Sequence, residues 1–253
     1  MERVSAEPFE TFPERFTTAL RVGDHHLIYL SNVFFDSGFV VPGLDRLVSA
    51  VSDQGAFVVI DGYHSFMALP VDLGAIQDRV FYMAGGYKYA MSGEGVCFLH
   101  CPPGYGPRPV DTGWYAGFGQ LESGPGGQVG YASDGSRFFG ATFDPSGLYR
   151  MKAVLTWLEA AGVTPAFIST HVGGLQEQFL GQARVPGELV PPSAFRRGSF
   201  LTFETPQAAD IYRRLHTAKV ITDYRRNRLR IGFGIYHDSN DVERLVDVLG
   251  KVL

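Results

Sequence analysis

Residues 57–95 have the sequence FVVIDGYHSFMALPVDLGAIQDRVFYMAGGYKYAMSGEG, in which two short apolar runs each end in polar residues. The first run ends at Asp61, with His64 three residues later, and the second leads through two glycines to Tyr87 and Lys88. Short apolar runs bounded by glycine and polar residues are typical of buried strands of a parallel sheet. Ligands of open α/β sheets bind at the carboxyl ends of such strands. The stretch therefore predicts an acid, an imidazole and a lysine at one edge of a sheet.

These three residue types fit pyridoxal 5'-phosphate (PLP) as a cofactor. PLP needs a lysine amine with which it forms a Schiff base. It also needs a carboxylate beside the pyridine nitrogen, so that the protonated ring can act as an electron sink. We expect Lys88 to bond the cofactor, Asp61 to face the ring nitrogen, and His64 to stack on the ring or hydrogen-bond to it. Each residue alone has a plainer interpretation, since an Asp at a strand end is often a helix N-cap and a lysine after a strand is usually solvated.

Several segments of the chain together resemble the class V aminotransferase family of fold-type-I PLP enzymes. The matching segments are Asp61-Gly62-Tyr63-His64, Gly86-Tyr87-Lys88-Tyr89, Gly113-Trp114, residues 137–142 and residues 229–233 followed by Tyr236. The resemblance covers roughly residue 10 to the C-terminus, and it is most similar to the kynureninase branch, in which Asp-x-x-His precedes a Tyr-Lys pair. It implies a homodimer with the active site at the interface. Thr142 would then bind the PLP phosphate from the neighbouring subunit, and Tyr87 would assist proton transfer as a catalytic and cofactor-binding residue.

Two further residues are candidates for substrate binding. Arg230 stands at the start of an apolar strand, where its guanidinium can bind a carboxylate through two parallel hydrogen bonds. The family resemblance implies that it binds the α-carboxylate of an amino-acid substrate, and a structural salt bridge is the alternative. Trp114 offers a flat wall with one donor to a substrate, or else it anchors its own loop to the core.

The predicted fold is α/β, the fold type I of PLP-dependent transferases, with a small C-terminal α+β domain. Residues 1–145 would form the remainder of the large PLP-binding domain, with a parallel or mixed sheet and helices. Residues 146–198 would be connecting helices, and residues 199–253 the small domain. Within these parts we expect residues 96–100 to form a buried strand that is an edge or antiparallel one, and residues 220–222 to form a short strand.

The position of Lys88 is early compared with complete fold-type-I enzymes, which are usually much longer. The counterpart of the helix start that binds the phosphate would then be missing upstream. Three explanations follow from the sequence: a fragment, one half of a two-chain enzyme in which a second chain supplies the N-terminal segment, or a trimmed relative with altered function.

Composition excludes several other classes of protein. The chain has 253 residues and a net charge of −4, so nucleic-acid binding is not expected. It contains no apolar run of membrane-spanning length and no signal-peptide core, which predicts a cytoplasmic protein. Cys97 and Cys101 lie too far apart on a strand to form a disulfide, and they have no companion ligands for a metal site.

The sequence thus predicts an enzyme that acts on an amino-acid substrate through PLP, either an aminotransferase or a hydrolase that cleaves Cβ–Cγ. A desulfurase fits less well, because it needs a mobile loop cysteine as the nucleophile, whereas Cys97 and Cys101 belong to a predicted strand. The alternative is a shortened, non-catalytic PLP-fold module that dimerises or binds a partner.

Overall fold

Four strands in the first half of the chain form one mixed sheet. The structure is a computed structural model that describes residues 1–106, 108–123 and 130–253, without the side chains of 121–123. The four strands are β1 Leu27–Ser31, β2 Phe57–Asp61, β3 Phe81–Gly85 and β4 Cys97–His100. The strand order is β1-β2-β3-β4, with parallel pairing from β1 to β3 and antiparallel pairing of β4. The predicted parallel strands and the antiparallel edge strand are confirmed. The predicted burial of β4 is wrong, because Cys97 and Leu99 are exposed on one face of the sheet.

One face of this sheet packs against helices α1 Phe12–Val22 and α2 Leu44–Ser49. Alternate strand residues point into this core, and the buried ones include Ile28, Leu30, Val58, Ile60, Tyr82 and Ala84. The four-residue spacing of Phe12, Phe16 and Leu20 predicts α1, and Phe12 and Leu20 are its buried residues. The carboxyl ends of β2 and β3 lie side by side, because Asp61 pairs in register with Met83.

The second sheet is antiparallel, with the order β5-β6-β8-β7. Its strands are β5 Glu188–Val190, β6 Phe200–Glu204, β7 Asp223–Arg225 and β8 Arg228–Gly232. Helix α5 Ala208–Thr217 lies between β6 and β7 in the chain, and helix α6 Ser239–Val252 follows β8. Buried residues from both helices pack on the sheet, among them Ile211, Leu215 and Val242 with Leu201 and Leu229.

The prediction of a strand at residues 220–222 is wrong, because the observed strand begins three residues later, at Asp223. The amide of Val220 bonds to the carbonyl of Leu215 at 2.9 Å, so this residue closes helix α5 instead of pairing with a strand. The strand begins at Asp223, and the hairpin turns at Arg226, whose φ of 54° is the left-handed conformation that tight hairpins require.

The segments between the two sheets are helical or irregular. Helices α3 Ser146–Ala160 and α4 Pro165–Gln182 follow each other, and the side chain of Thr164 caps α4 by accepting from the amide of Phe167. Residues 102–145 contain two short 3₁₀ helices, Trp114–Ser123 and Gly135–Phe138. No helix in the described part of the chain is long and apolar enough to cross a membrane.

A half-buried arginine joins the two sheets. The guanidinium of Arg228 on β8 donates to Glu7 at 2.6 Å, to Asp36 at 2.8 Å and to Glu204 at 2.8 Å. Glu7 and Asp36 belong to the first half of the chain, so these ion pairs fix the C-terminal sheet against the loop that follows β1. This loop thereby comes close to the ends of β2 and β3.

Candidate active site

A tight glycine turn at the end of β3 places Lys88. The side chain and the amide of Ser92 both donate to the carbonyl of Gly86 at 2.8 Å, which closes the turn around the lysine. A Cβ atom on Gly86 would lie 2.2 Å from Ser92 Oγ, and one on Gly85 would lie 2.5 Å from the ring of Tyr87. A side chain at either position would therefore displace Ser92 or Tyr87 from the turn. No carboxylate of the described residues forms an ion pair with Lys88, whose Nζ lies 5.4 Å from the centre of the Tyr87 ring.

Asp61 at the end of β2 is held by three donors. Its Oδ1 accepts from the amide of Tyr63 at 2.9 Å, and its Oδ2 accepts from the hydroxyls of Tyr29 at 2.7 Å and Ser31 at 3.2 Å. Burial, followed by the bond to Asp61, raises the pKa of Tyr29 to about 12. The tyrosine therefore stays a donor, and the carboxylate is fixed in orientation at the edge of the sheet.

His64 lies in the turn after Asp61, among three aromatic rings. The ring centres of Phe200, Phe35 and Tyr89 are 5.7, 5.9 and 6.2 Å from the imidazole. Burial, and then the charges of Lys88 and Arg230, lower the pKa of His64 from 6.5 to about 4. The imidazole is therefore neutral near pH 7. Its Nδ1 atom is buried and has no hydrogen-bond partner among the described residues.

Arg230 on β8 approaches this group from the second sheet. Its Nη1 donates to the carbonyl of Phe35 at 2.7 Å, and its Nη2 pairs with the carboxylate of Asp223. The guanidinium carbon lies 4.4 Å from the centre of the Phe35 ring and 5.4 Å from that of Phe200. The salt bridge considered as the alternative role of Arg230 is therefore present, and Nε remains buried without a partner among the described residues.

One cavity of about 1140 Å³ joins these groups. Its lining includes His64, Tyr87, Lys88, Tyr89, Phe200 and Arg230. The structure thus brings together four of the residues predicted from the sequence. Asp61 does not line the cavity but lies near enough for its charge to act on His64.

Trp114 and Thr142 are not part of this cavity. Trp114 is half exposed, and its ring centre lies 5.5 Å from that of Tyr115 and 5.4 Å from that of Phe118. Thr142 is exposed, and neither residue lines the cavity. Because the role predicted for Thr142 lies across a dimer interface, the functions of both residues stay predictions.

Two residues of the site were not found from the sequence. Phe35 supplies a carbonyl and a ring to Arg230. The sequence indicates only its loop, residues 31–38, which follows a strand expected at residues 27–30; the family resemblance puts this loop near the substrate, and a plain βα loop is the alternative. Asp223 pairs with Arg230 because the two lie opposite each other in the β7–β8 hairpin. A correct prediction of the turn at Arg226 would have shown this pairing.

The donor set suits PLP on grounds of its own chemistry. One sheet edge presents a half-buried lysine, an oriented carboxylate on the neighbouring strand and a neutral imidazole; among the described residues the lysine has no ion-pair partner and the imidazole Nδ1 no hydrogen-bond partner. Lys88 would bond the cofactor, Asp61 would face the ring nitrogen and His64 would contact the ring. Among the described residues, no group of three or more His, Cys, Asp or Glu side chains could hold a metal ion.

Comparison with known proteins gives a family match in the C-terminal part of the chain. Residues 179–249 match the family model of the kynureninase C-terminal domain. The kynureninase of Pseudomonas fluorescens is 27% identical over 250 residues, which cover 91% of this chain and 56% of that protein. A probable cysteine desulfurase of Vibrio cholerae is 24% identical over 233 residues, which cover 83% of this chain and 54% of that protein.

Solved structures show the same fold. The complex between the cystine C–S lyase C-DES and its reaction product cysteine persulfide superposes with a TM-score of 0.79 at 20% identity, covering 95% of this chain and 64% of that one. The predicted fold class, an α/β fold of the PLP-dependent transferase type, is therefore confirmed. The chain spans about half the length of the curated relatives it matches.

Proposed function

Because this chain belongs to the class V aminotransferase-like family, whose cofactor is PLP, we propose that it acts on an amino-acid substrate through that cofactor. The observation that carries the proposal is that Lys88 and Arg230 line the same cavity, although they come from different sheets. The amine suits the cofactor and the proton on Cα of an amino acid. The guanidinium suits the α-carboxylate of the same amino acid.

Bound PLP supplies an aldehyde that condenses with amines and a protonated ring that delocalises the negative charge developing at Cα. Asp61 keeps the proton on the ring nitrogen, because its Oδ2 is an oriented acceptor at the sheet edge. Lys88 would hold the cofactor through its Nζ, and the same nitrogen, as a free amine, would accept the proton from Cα of the substrate and return it.

His64 contributes an uncharged, flat surface next to the cofactor. Since its pKa is about 4, the imidazole adds no positive charge that would compete with protonation of the ring nitrogen. It can make one hydrogen bond through Nδ1, which the described residues leave unpartnered. Burial raises the pKa of Tyr87, so its hydroxyl stays protonated and can serve as a donor beside Lys88.

Arg230 orients the substrate through its carboxylate in this proposal. The guanidinium is already positioned by the carbonyl of Phe35 and by Asp223. A substrate carboxylate would share the guanidinium with Asp223 or displace it, because Nη2 makes that ion pair when no substrate is bound. This exchange keeps the charge of Arg230 compensated both with and without substrate.

Two reactions agree with this site. In transamination, Lys88 would move the proton from Cα to the cofactor. In hydrolytic Cβ–Cγ cleavage, which would make the protein kynureninase-like, the hydroxyl of Tyr87 would move protons on the substrate side chain. Neither cysteine lines the cavity, so the proposal does not include sulfur transfer by a cysteine nucleophile.

The second candidate is a non-catalytic module of the same fold that dimerises or binds a partner. The observation that favours it is the length of the chain, which spans about half of its curated relatives. In the catalytic proposal the functional protein is a homodimer with the site at the interface, and a second chain supplies the part of its relatives that has no counterpart in this chain.

The test is to load the purified protein with PLP and to offer kynurenine, alanine and cysteine separately while products are analysed. We expect one amino acid to be converted, with the conversion lost in Lys88→Ala. A protein that binds PLP but converts none of the three, even with a keto acid as amino acceptor, favours the non-catalytic module.

A further inference from the structure

The carboxylate of Asp223 lies between two arginines of the β7–β8 hairpin. Its Oδ2 pairs with Nη2 of Arg230, which lies opposite it in the hairpin, and its Oδ1 accepts from Nη1 of Arg225 at 2.5 Å. The guanidinium carbons of Arg230 and Arg225 lie 4.4 and 5.8 Å from the centre of the same ring, that of Phe35. Asp223 therefore contacts both arginines at once, and it lines the cavity together with Arg230, whereas Arg225 does not.

The ion pair with Asp223 occupies one of two donors on the edge of Arg230 that suits a carboxylate. Nε and Nη2 point the same way from one edge of a guanidinium, so together they can bind both oxygens of one carboxylate. In Arg230, Asp223 pairs with Nη2, while Nε is buried and has no partner among the described residues. Nη1 already donates to the carbonyl of Phe35 at 2.7 Å. A carboxylate that uses both Nε and Nη2 must therefore replace Asp223.

We propose that Asp223 is an internal competitor for the substrate carboxylate: it lowers the affinity of Arg230 for carboxylates, and it leaves Nη2 of Arg230 when substrate binds. The proposal rests on the proposed function for the binding of a substrate carboxylate by Arg230. It deepens that function by assigning the residue that regulates this binding. In the exchange one ion pair of Arg230 replaces another, so no proton moves and no covalent bond changes.

Arg225 keeps the charge of Asp223 compensated after the exchange. Its bond to Oδ1 of Asp223 does not involve Arg230, and its Nη1 also donates to the carbonyl of Tyr224 at 2.9 Å. The side chain of Asp223 is 39% exposed, so water can solvate the oxygen that leaves Arg230. The side chain of Arg230 is only 12% exposed, and a charge that is nearly buried is costly to leave unpaired. Release of Asp223 therefore requires an incoming carboxylate at Arg230.

The test measures carboxylate binding without cofactor or turnover. Propionate, a carboxylate without an amine, is titrated into the chain in the absence of PLP, and the Nε–H signals of the arginines are followed by proton–nitrogen NMR. The signal that disappears in Arg230→Gln is that of Arg230. We expect Asp223→Asn to bind propionate about tenfold more tightly than the wild type, because a competing charge-assisted hydrogen bond is lost. Asp223→Ser removes the same charge with a smaller side chain, and its affinity for propionate should also rise.

Asp241→Asn is the matched control, because Asp241 lines the same cavity but pairs with Arg244. It removes an equal charge and should change the affinity for propionate by less than about twofold, since solvent and salt screen it from Arg230.

Two results overturn the proposal and leave the proposed function standing. One is that the wild type and Asp223→Asn bind propionate at Arg230 with equal affinity. The other is that Asp241→Asn tightens binding as much as Asp223→Asn, which would make the effect one of overall charge. If propionate shifts the Arg230 signal in none of the proteins, the role of Arg230 in the proposed function is wrong, and the inference is overturned with it.

Discussion

The guanidinium of Arg230 donates from Nη1 to the main-chain carbonyl of Phe35 at 2.7 Å and lies 4.4 Å from the centre of the same residue's ring. This pair joins strand β8 of the second sheet to the loop after β1 of the first. It places the guanidinium of Arg230 at the cavity that Lys88 also lines. The substrate site in our proposal therefore depends on the contact between the two sheets.

The first prediction concerns Arg230→Gln. If Arg230 binds the substrate carboxylate, its loss should raise KM about 10- to 100-fold and change kcat less, since a hydrogen bond to a charged group contributes about 1.5–3 kcal/mol. Arg225→Gln is the matched control, because Arg225 also pairs with Asp223 but does not line the cavity. Equal KM values for the two variants, with a lower melting temperature for Arg230→Gln, would show that the arginine is only structural.

The second prediction concerns the carboxylate at the cofactor ring. Asp61→Asn should weaken PLP binding by roughly 10- to 100-fold, because a charge-assisted hydrogen bond to the ring nitrogen is lost. Tyr29→Phe removes one donor to Oδ2 and leaves the charge, so its effect should be smaller. Spectrophotometric titration with PLP measures both. Affinities of Asp61→Asn and the wild type that agree within error would contradict the assignment of Asp61.

The third prediction follows from the neutral state of His64. Its pKa is lowered from 6.5 to about 4 in the folded chain, mainly by burial. Between these values the unfolded chain binds a proton that the folded chain does not, so the free energy of unfolding falls as the pH falls. The loss at about pH 5 should be on the order of 1–2 kcal/mol.

The measurement is urea unfolding of wild type and His64→Gln at neutral pH and at about pH 5. Carboxylates lower the stability of both proteins in acid. The contribution of His64 is therefore the difference between the two proteins in the free energy of unfolding that each loses on acidification. We expect the wild type to lose more stability than the variant on acidification. An NMR titration in which the His64 ring protonates near its ordinary value would refute the prediction.

The fourth prediction concerns the ion pairs between the two sheets. Arg228→Ala leaves Glu7, Asp36 and Glu204 without their shared partner. The three carboxylates are only partly buried, so solvent screens them, and we expect a loss of about 1–3 kcal/mol in the free energy of unfolding. Arg213→Ala breaks an exposed ion pair within α5 and should change stability by less than about 0.5 kcal/mol. Chemical denaturation measures the free energy of unfolding of both variants. Equal losses in that free energy would contradict a stabilising role of the Arg228 ion pairs.

The parts of the fold that follow from local patterns were predictable. Strands β2 and β3 are continuous apolar runs that end in Asp61 and the Gly85-Gly86 turn, so their position and parallel pairing follow from residues 57–95. Helix α4 follows from the Thr164-Pro165 start. Lys88, Tyr87 and His64 then meet in one cavity because they follow neighbouring strands.

Features that depend on contacts distant in sequence were not predictable in the same way. Burial of β4 was wrong because the sequence pattern does not show which sheet face lacks a covering layer. The strand at residues 220–222 was misplaced because the left-handed turn residue is Arg226, a residue type that rarely takes that conformation. The pairing of Arg230 with Asp223 depends on that turn and was missed with it.

The most direct test of the account is the attachment site of the cofactor. The protein is incubated with PLP, reduced with borohydride to fix any lysine adduct, and mapped by peptide mass spectrometry. Lys219→Ala is the matched control, because Lys219 lines the same cavity. We predict a PLP adduct on Lys88 in the wild type and in Lys219→Ala, and none in Lys88→Ala. An adduct on Lys219 with Lys88 unmodified, or no adduct on any lysine, would contradict the account.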